Sequence, residues 1–105
     1  MANNYEKIKS AVFQAVDSVN EQLMDEQHLE KSTESVLLGS EAKIDSMALV
    51  NLIVATEEQI SHSFNVNISL TDERALQEKE SPFETLGTLI DYISRLFAES
   101  GIDLE

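Results

Sequence analysis

Three stretches of this chain repeat apolar side chains every three or four residues, and very little interrupts that rhythm. In the first, Tyr5, Ile8, Val12, Val16, Val19 and Leu23 fall on one stripe, the pattern of an amphipathic helix with one buried side. Asn3 or Asn4 is placed to cap its start. The second begins at Ser46, with Leu49, Leu52, Ile53, Ala55, Thr56, Ile60 and Phe64 on a broad face and Met47, Val50 and Val54 on a narrower adjacent stripe. The third carries Leu86, Leu89, Ile90, Ile93, Leu96 and Phe97 behind a capping Thr85. Gly occurs three times and Pro once in 105 residues, and aromatics make up only 6%. A β-sandwich or barrel needs more turn residues and more aromatic packing than that.

The connections are uneven. Residues 25–45 are polar and mixed, apart from the apolar island Val36-Leu37-Leu38, which is followed by Gly39. Loops longer than about 12–15 residues in a small domain are usually functional or disordered. The apolar island gives this one something to bury, so an ordered loop is expected. Residues 65–70 alternate Val66, Ile68 and Leu70, the pattern of a short extended piece. Thr71 is suited to cap a short helix, with Asp72 and Glu73 in its first turn where the helix dipole favours acids. Residues 78–82 then connect to the last helix, whose first turn holds Gly87, at a cost of about 1 kcal/mol relative to Ala. The expected fold is all-α, a small four-helix bundle of three main helices and one short one with a long first loop. Residues 1–98 form a single domain, and 99–105 a tail in which Leu104-Glu105 reads as a cloning remnant.

Twenty acidic residues stand against seven basic ones, a net charge of −13. Such a surface repels phosphate backbones and anionic lipid, so neither nucleic acid nor membrane is an expected partner. Basic protein surfaces and divalent cations are. There is no cysteine, hence no disulfide, thiolate nucleophile or zinc–cysteine site. No stretch approaches 18 apolar residues and the start MANNYEKIKSAVF has no long apolar run, so a cytoplasmic, monomeric protein is expected. The sequence does not suggest an enzyme or a metal site. His28 and His62 are the only histidines and stand far apart. No serine lies in a nucleophile elbow, no Gly-rich phosphate loop is present, and the paired carboxylates Glu57-Glu58 and Asp72-Glu73 suit a helix face and a helix start.

Asp45-Ser46-Met47 stands out by position. It ends the long loop and opens an amphipathic helix in a small, acidic, cysteine-free domain. With Val50, Leu52, Ile53, Glu57 and Glu58 after it, and Thr85-Leu86 and Ile90-Asp91-Tyr92-Ile93 near the end, the chain resembles the acyl carrier protein family from about Ile8 to Leu96. That family's attachment motif is Asp-Ser-Leu or Asp-Ser-Met at the start of its second helix. The resemblance implies that Ser46 carries 4′-phosphopantetheine, that Asp45 helps present it to a phosphopantetheinyl transferase (a holo-acyl-carrier-protein synthase), and that acyl groups are carried as thioesters. It also implies docking on acyl-loading and acyl-transferring enzymes with basic surfaces, through Met47, Val50, Val54, Glu57 and Glu58.

The chain departs from the family pattern at several points. Two early acidic positions of the second helix read Ala48 and Asn51. Lys43-Ile44 stand where a Gly usually precedes Asp-Ser, the nearest being Gly39. The segments 61–69 and 76–82 are longer, the first by about one helical turn, so an extended second helix is expected. These departures suggest a carrier for a specialised biosynthetic pathway, for example one acylating a surface polysaccharide or a secondary metabolite, rather than for housekeeping fatty acid synthesis. Two other readings stay open: an unmodified carrier-like helical adaptor, and an aminoacyl or peptidyl carrier. The expected walls of an acyl cavity are Leu52, Ile53, Thr56, Leu70, Ala75, Leu76 and Ile90, with the Thr56 hydroxyl by default bonded to a backbone carbonyl one turn back.

Overall fold

A computed structural model describes residues 4–24, 27–39, 42, 44–66, 68–70 and 82–100. They form three helices, α1 (Asn4–Asn20), α2 (Ser46–Phe64) and α3 (Leu86–Ser100), and among the described residues there is no strand. The short helix expected after Thr71, with Asp72 and Glu73, and the cavity walls Ala75 and Leu76 lie outside the described residues. So does Asn3. Asn4 is already the first residue of α1 rather than the cap before it. At the other end, α3 runs on to Ser100, past the point where a tail was expected to begin.

α1 packs against both other helices. Ile8, Val12, Val16 and Val19 are buried as their spacing requires, and Ala11 and Ala15 join them. Tyr5, in the first turn, is only half-buried, and so is Leu23, which the stripe included but which lies beyond the end of α1 at Asn20. On α2 the buried set is Ala48, Leu49, Leu52, Ile53, Thr56 and Ile60, while Ala55 and Phe64 pack on its margin. On α3, Leu86, Leu89, Ile90, Tyr92, Ile93 and Phe97 are buried. The last turns of α2 and α3 meet through Phe64 and Phe97, whose rings stand edge to face at 5.2 Å.

The long first connection is part of this core. Leu29, Leu37 and Ile44 are buried in it. Of the apolar island, only Leu37 goes fully inside. Val36 pairs with Thr85 in an isolated antiparallel bridge, and Leu38 faces outward. Asn20, the last residue of α1, holds the loop at its start: its carboxamide donates to the Leu29 carbonyl and accepts from the Leu29 N–H, both at 2.9 Å. The exposed Lys31–Asp17 ion pair at 3.3 Å spans the same region and contributes about 0–1 kcal/mol.

Further on, the loop docks on the start of α3. The Leu37 N–H donates to the Glu84 carbonyl at 2.7 Å, Leu86 N–H to Ser35 at 3.0 Å, and Gly87 N–H to Thr33 at 2.9 Å. Thr85 caps the same end as expected: its hydroxyl accepts from the Thr88 N–H at 3.1 Å, and the Thr88 hydroxyl oxygen accepts from the Thr85 N–H at 3.0 Å. The N–H groups that open a helix have no partner inside it, and here the loop carbonyls and the cap supply them. Gly87, expected only to weaken the helix, permits this approach. A Cβ there would lie 2.8 Å from the Thr33 carbonyl oxygen, too close without a backbone shift.

The described residues of 65–70 form no helix and pair in no strand. Asn65 ends α2 in the left-handed conformation at φ 56°, its N–H bonded to the Ser61 carbonyl, an arrangement Asn tolerates better than most residues. The segment then returns to α2, where the Leu70 N–H bonds Glu57. Val66 and Ile68 are half-buried and Leu70 is fully buried. α2 itself continues through a last turn, Ser61–Phe64.

The concentration of charge in the connections has a measurable consequence. Residues 21–45 hold Glu21, Asp25, Glu26, Glu30, Glu34, Glu41 and Asp45 against Lys31 and Lys43. Self-repulsion of this kind opposes the compact state and is screened by salt. The melting temperature is expected to rise from dilute buffer to sodium chloride, and further in magnesium chloride at equal ionic strength. Thermal melts in the three solutions check this; equal midpoints would contradict it.

Candidate functional site

The start of α2 is arranged differently from the start of α3. Asp45 adopts an extended backbone, and its carboxylate accepts from the Ala48 N–H at 2.8 Å. This is the N-cap role that the sequence assigns to it, worth about 1 kcal/mol. The Leu49 N–H reaches the Asp45 carbonyl at 3.0 Å, the first regular bond of the helix. Among the described residues nothing accepts from the Met47 N–H. Where loop carbonyls cover the second N–H of α3, the second N–H of α2 remains available. Ser46 is the first residue of the helix, between Asp45 and Met47, both exposed. Behind the junction, Ile44, Ala48 and Leu49 are buried, so the exposed Asp45 and Met47 stand on a fixed base.

From this corner an apolar stripe runs along the outside of α2. Met47 is 72% exposed, Val50 56% and Val54 47%. Two open grooves meet at Val54. One, about 430 Å³, is lined by Val54, Glu57, Glu58, Ser61, His62 and Ile68. The other, about 290 Å³, lies between α1 and α2 and includes Val19, Val54 and Ala55 with the carboxamides of Gln22, Asn51 and Gln59. The helix offers no Lys or Arg, and its only Asp or Glu residues are Glu57 and Glu58. His62 is in its last turn.

The two glutamates differ in role. Glu58 is exposed. Glu57 is half-buried and accepts the Leu70 N–H at 2.7 Å, so it ties the returning segment 68–70 to α2. Sequence spacing gives both as surface acids and cannot see that bond, which spans thirteen residues. The same holds for the Asn20 clamp. Thr56 meets the default expectation: its buried hydroxyl donates to the Leu52 carbonyl at 2.8 Å, a bond that satisfies a polar group inside the core. Leu52, Ile53, Leu70 and Ile90 share one core cluster with each other, and Thr56 is buried on the same helix as the first two.

The histidines stay apart. The His28 Nε2 lies 3.1 Å from the Leu23 carbonyl oxygen in the first connection, and His62 is exposed on α2. Among the described residues no cluster of three or more His, Asp or Glu side chains is placed to hold a metal ion. No helix among them is long and apolar enough to cross a membrane. Compared with protein-family models, curated proteins and solved structures, the chain matches none of them.

Proposed function

We propose that the chain is an acyl carrier protein of a specialised biosynthetic pathway, modified on Ser46 with 4′-phosphopantetheine. The observation that carries this reading is the placement of Asp45-Ser46: Asp45, exposed, caps α2 and Ser46 is the first residue of that helix, at the close of a loop anchored on the start of α3. In the modification, the Ser46 Oγ forms a bond to the β-phosphorus of coenzyme A. The bond from that phosphorus to the nucleotide side breaks, adenosine 3′,5′-bisphosphate leaves, and the serine proton is lost to base. The residues present suit such an attachment. A phosphodiester at Ser46 would lie at a helix N-terminus, where the dipole and the uncovered Met47 N–H favour an anion. Asp45 is already engaged with the Ala48 N–H, which holds the helix start in place for a modifying enzyme. When attached, the arm supplies a terminal thiol for thioester linkage, which a chain without cysteine cannot offer itself.

On this reading the chain is not an enzyme. It is a cytoplasmic, monomeric platform that docks transiently on the transferase and on acyl-loading and acyl-transferring enzymes. The stripe Met47, Val50 and Val54, with Glu58 beside it, suits a partner that presents an apolar spot ringed by basic residues. That stripe would equally serve an unmodified helical adaptor, and an aminoacyl or peptidyl carrier would share the attachment chemistry. Incubation with coenzyme A, magnesium and a phosphopantetheinyl transferase separates the carriers from the adaptor. The intact protein is expected to gain one phosphopantetheinyl mass, and Ser46→Ala none. No gain with several transferases would leave the adaptor reading.

A further inference from the structure

The groove between α1 and α2 differs from its neighbour in chemistry. The larger groove across Val54 is charged, with Glu57, Glu58 and His62 along it. The smaller one carries Glu58 alone as a charge and otherwise combines Ser18, Gln22, Asn51 and Gln59 with Val19, Val54 and Ala55. Among the described residues the carboxamides of Gln22, Asn51 and Gln59 have no hydrogen-bond partner. Three groups that each offer a donor and an acceptor therefore line one groove beside Val19, Val54 and Ala55, with no partner in the protein to displace.

The ligand this surface suits is a slim, uncharged chain with internal amides and a small apolar branch. A pantetheine arm is such a chain beyond its phosphate: a gem-dimethyl group, a hydroxyl and two secondary amides lead to the thiol. Its length suits the distance as well. Ser46 and Asn51 are separated by about 7.5 Å along the axis of α2, and Ser46 and Ala55 by about 13.5 Å, at 1.5 Å per residue. The arm has about as many backbone bonds as five residues of extended chain, roughly 17 Å. Gln59 starts further along, but helical side chains lean toward the N-terminus, which brings its carboxamide back toward the level of Ala55. The exposed stripe Met47, Val50 and Val54 provides an apolar path for the gem-dimethyl group between Ser46 and the groove.

We infer that this carboxamide-lined groove between α1 and α2 is the resting seat of the arm, an inference that rests on the modification of Ser46. The arm's amides exchange hydrogen bonds with Asn51 and Gln22, and its methyl groups lie against Val50 and Val54. In the seated state the thiol is held beside α2 near Ala55 rather than trailing in water.

The test compares the apo protein with the modified protein by NMR, after mass spectrometry has established one added arm. Modification is expected to shift the side-chain amide signals of Asn51 and Gln22 and the backbone amide of Ala55, and to give contacts between the arm's methyl protons and the methyls of Val54. In a double variant, Asn51→Ala with Gln22→Ala, both positions being exposed, the shift at Ala55 is expected to fall at least twofold while the fold is kept. A protein that gains the full mass but shifts only residues 45–48, or shifts Ser61, His62 and Ile68 instead, overturns the groove proposal and leaves the modification intact. A protein that gains no mass overturns both.

Discussion

Leu37→Ala is expected to lower stability by about 2–5 kcal/mol, the usual cost of removing a buried leucine and leaving a cavity. In a domain of this size that corresponds to a fall in melting temperature of about 10 °C or more. The neighbouring Leu38→Ala is expected to change stability by less than about 0.5 kcal/mol. The two leucines are adjacent and chemically identical, but Leu37 is 1% exposed and Leu38 40%. The difference follows from the loop's pairing with residues 84–87. The Leu37 N–H is bonded to the Glu84 carbonyl, which fixes one side chain inward and sends the next outward. Chemical denaturation of the two variants measures this directly. Equal losses would mean that the loop does not hold this register.

Gly87→Ala sets two physical effects against each other. Helix propensity alone makes Ala the better residue by up to about 1 kcal/mol. The geometry predicts the opposite sign. A Cβ at 2.8 Å from the Thr33 carbonyl oxygen and 3.2 Å from the Thr33 Cβ must push the loop backbone away. That stretches the bond from the Gly87 N–H to the same oxygen, now 2.9 Å. Overpacking of this kind costs about 1–3 kcal/mol, so a net destabilisation of about 1–2 kcal/mol is expected, and more for Gly87→Val. A stabilised Gly87→Ala protein would show that residues 33–38 do not rest on the start of α3.

Local pattern carried much of the fold. The three apolar stripes, the caps Asp45 and Thr85, and the bond from Thr56 to its own helix are all set within four residues of sequence, where periodicity and capping rules apply. What the pattern missed is non-local or small. Ala11, Ala15 and Ala48 are buried, yet an alanine scarcely marks a stripe. Tyr92 is buried on α3 although its phenol gives it an amphipathic character. Leu29 and Ile44 stand alone among polar residues and become core only because the loop folds back. The Asn20 clamp, the Glu57 bond to Leu70 and the need for Gly87 all depend on which backbone segments meet.

At the candidate site, the corner at Asp45 and Ser46 and the outward stripe Met47, Val50 and Val54 were legible, because both follow from where a helix begins and which of its faces is filled. The carboxamide groove was not, since Gln22 lies in the turn after α1 and Asn51 near the start of α2. The division of labour between Glu57 and Glu58 was hidden for the same reason.

The central claim is that one serine, Ser46, receives the arm. Trypsin cuts after Lys43 and Arg74, so residues 44–74 form one peptide containing Ser46, Ser61, Ser63 and Ser69. After incubation with coenzyme A, magnesium and a transferase, fragmentation of this peptide is expected to place the entire added mass on Ser46 and to release the pantetheine moiety from that residue. Added mass on Ser61, Ser63 or Ser69, or an unmodified peptide, would contradict the account.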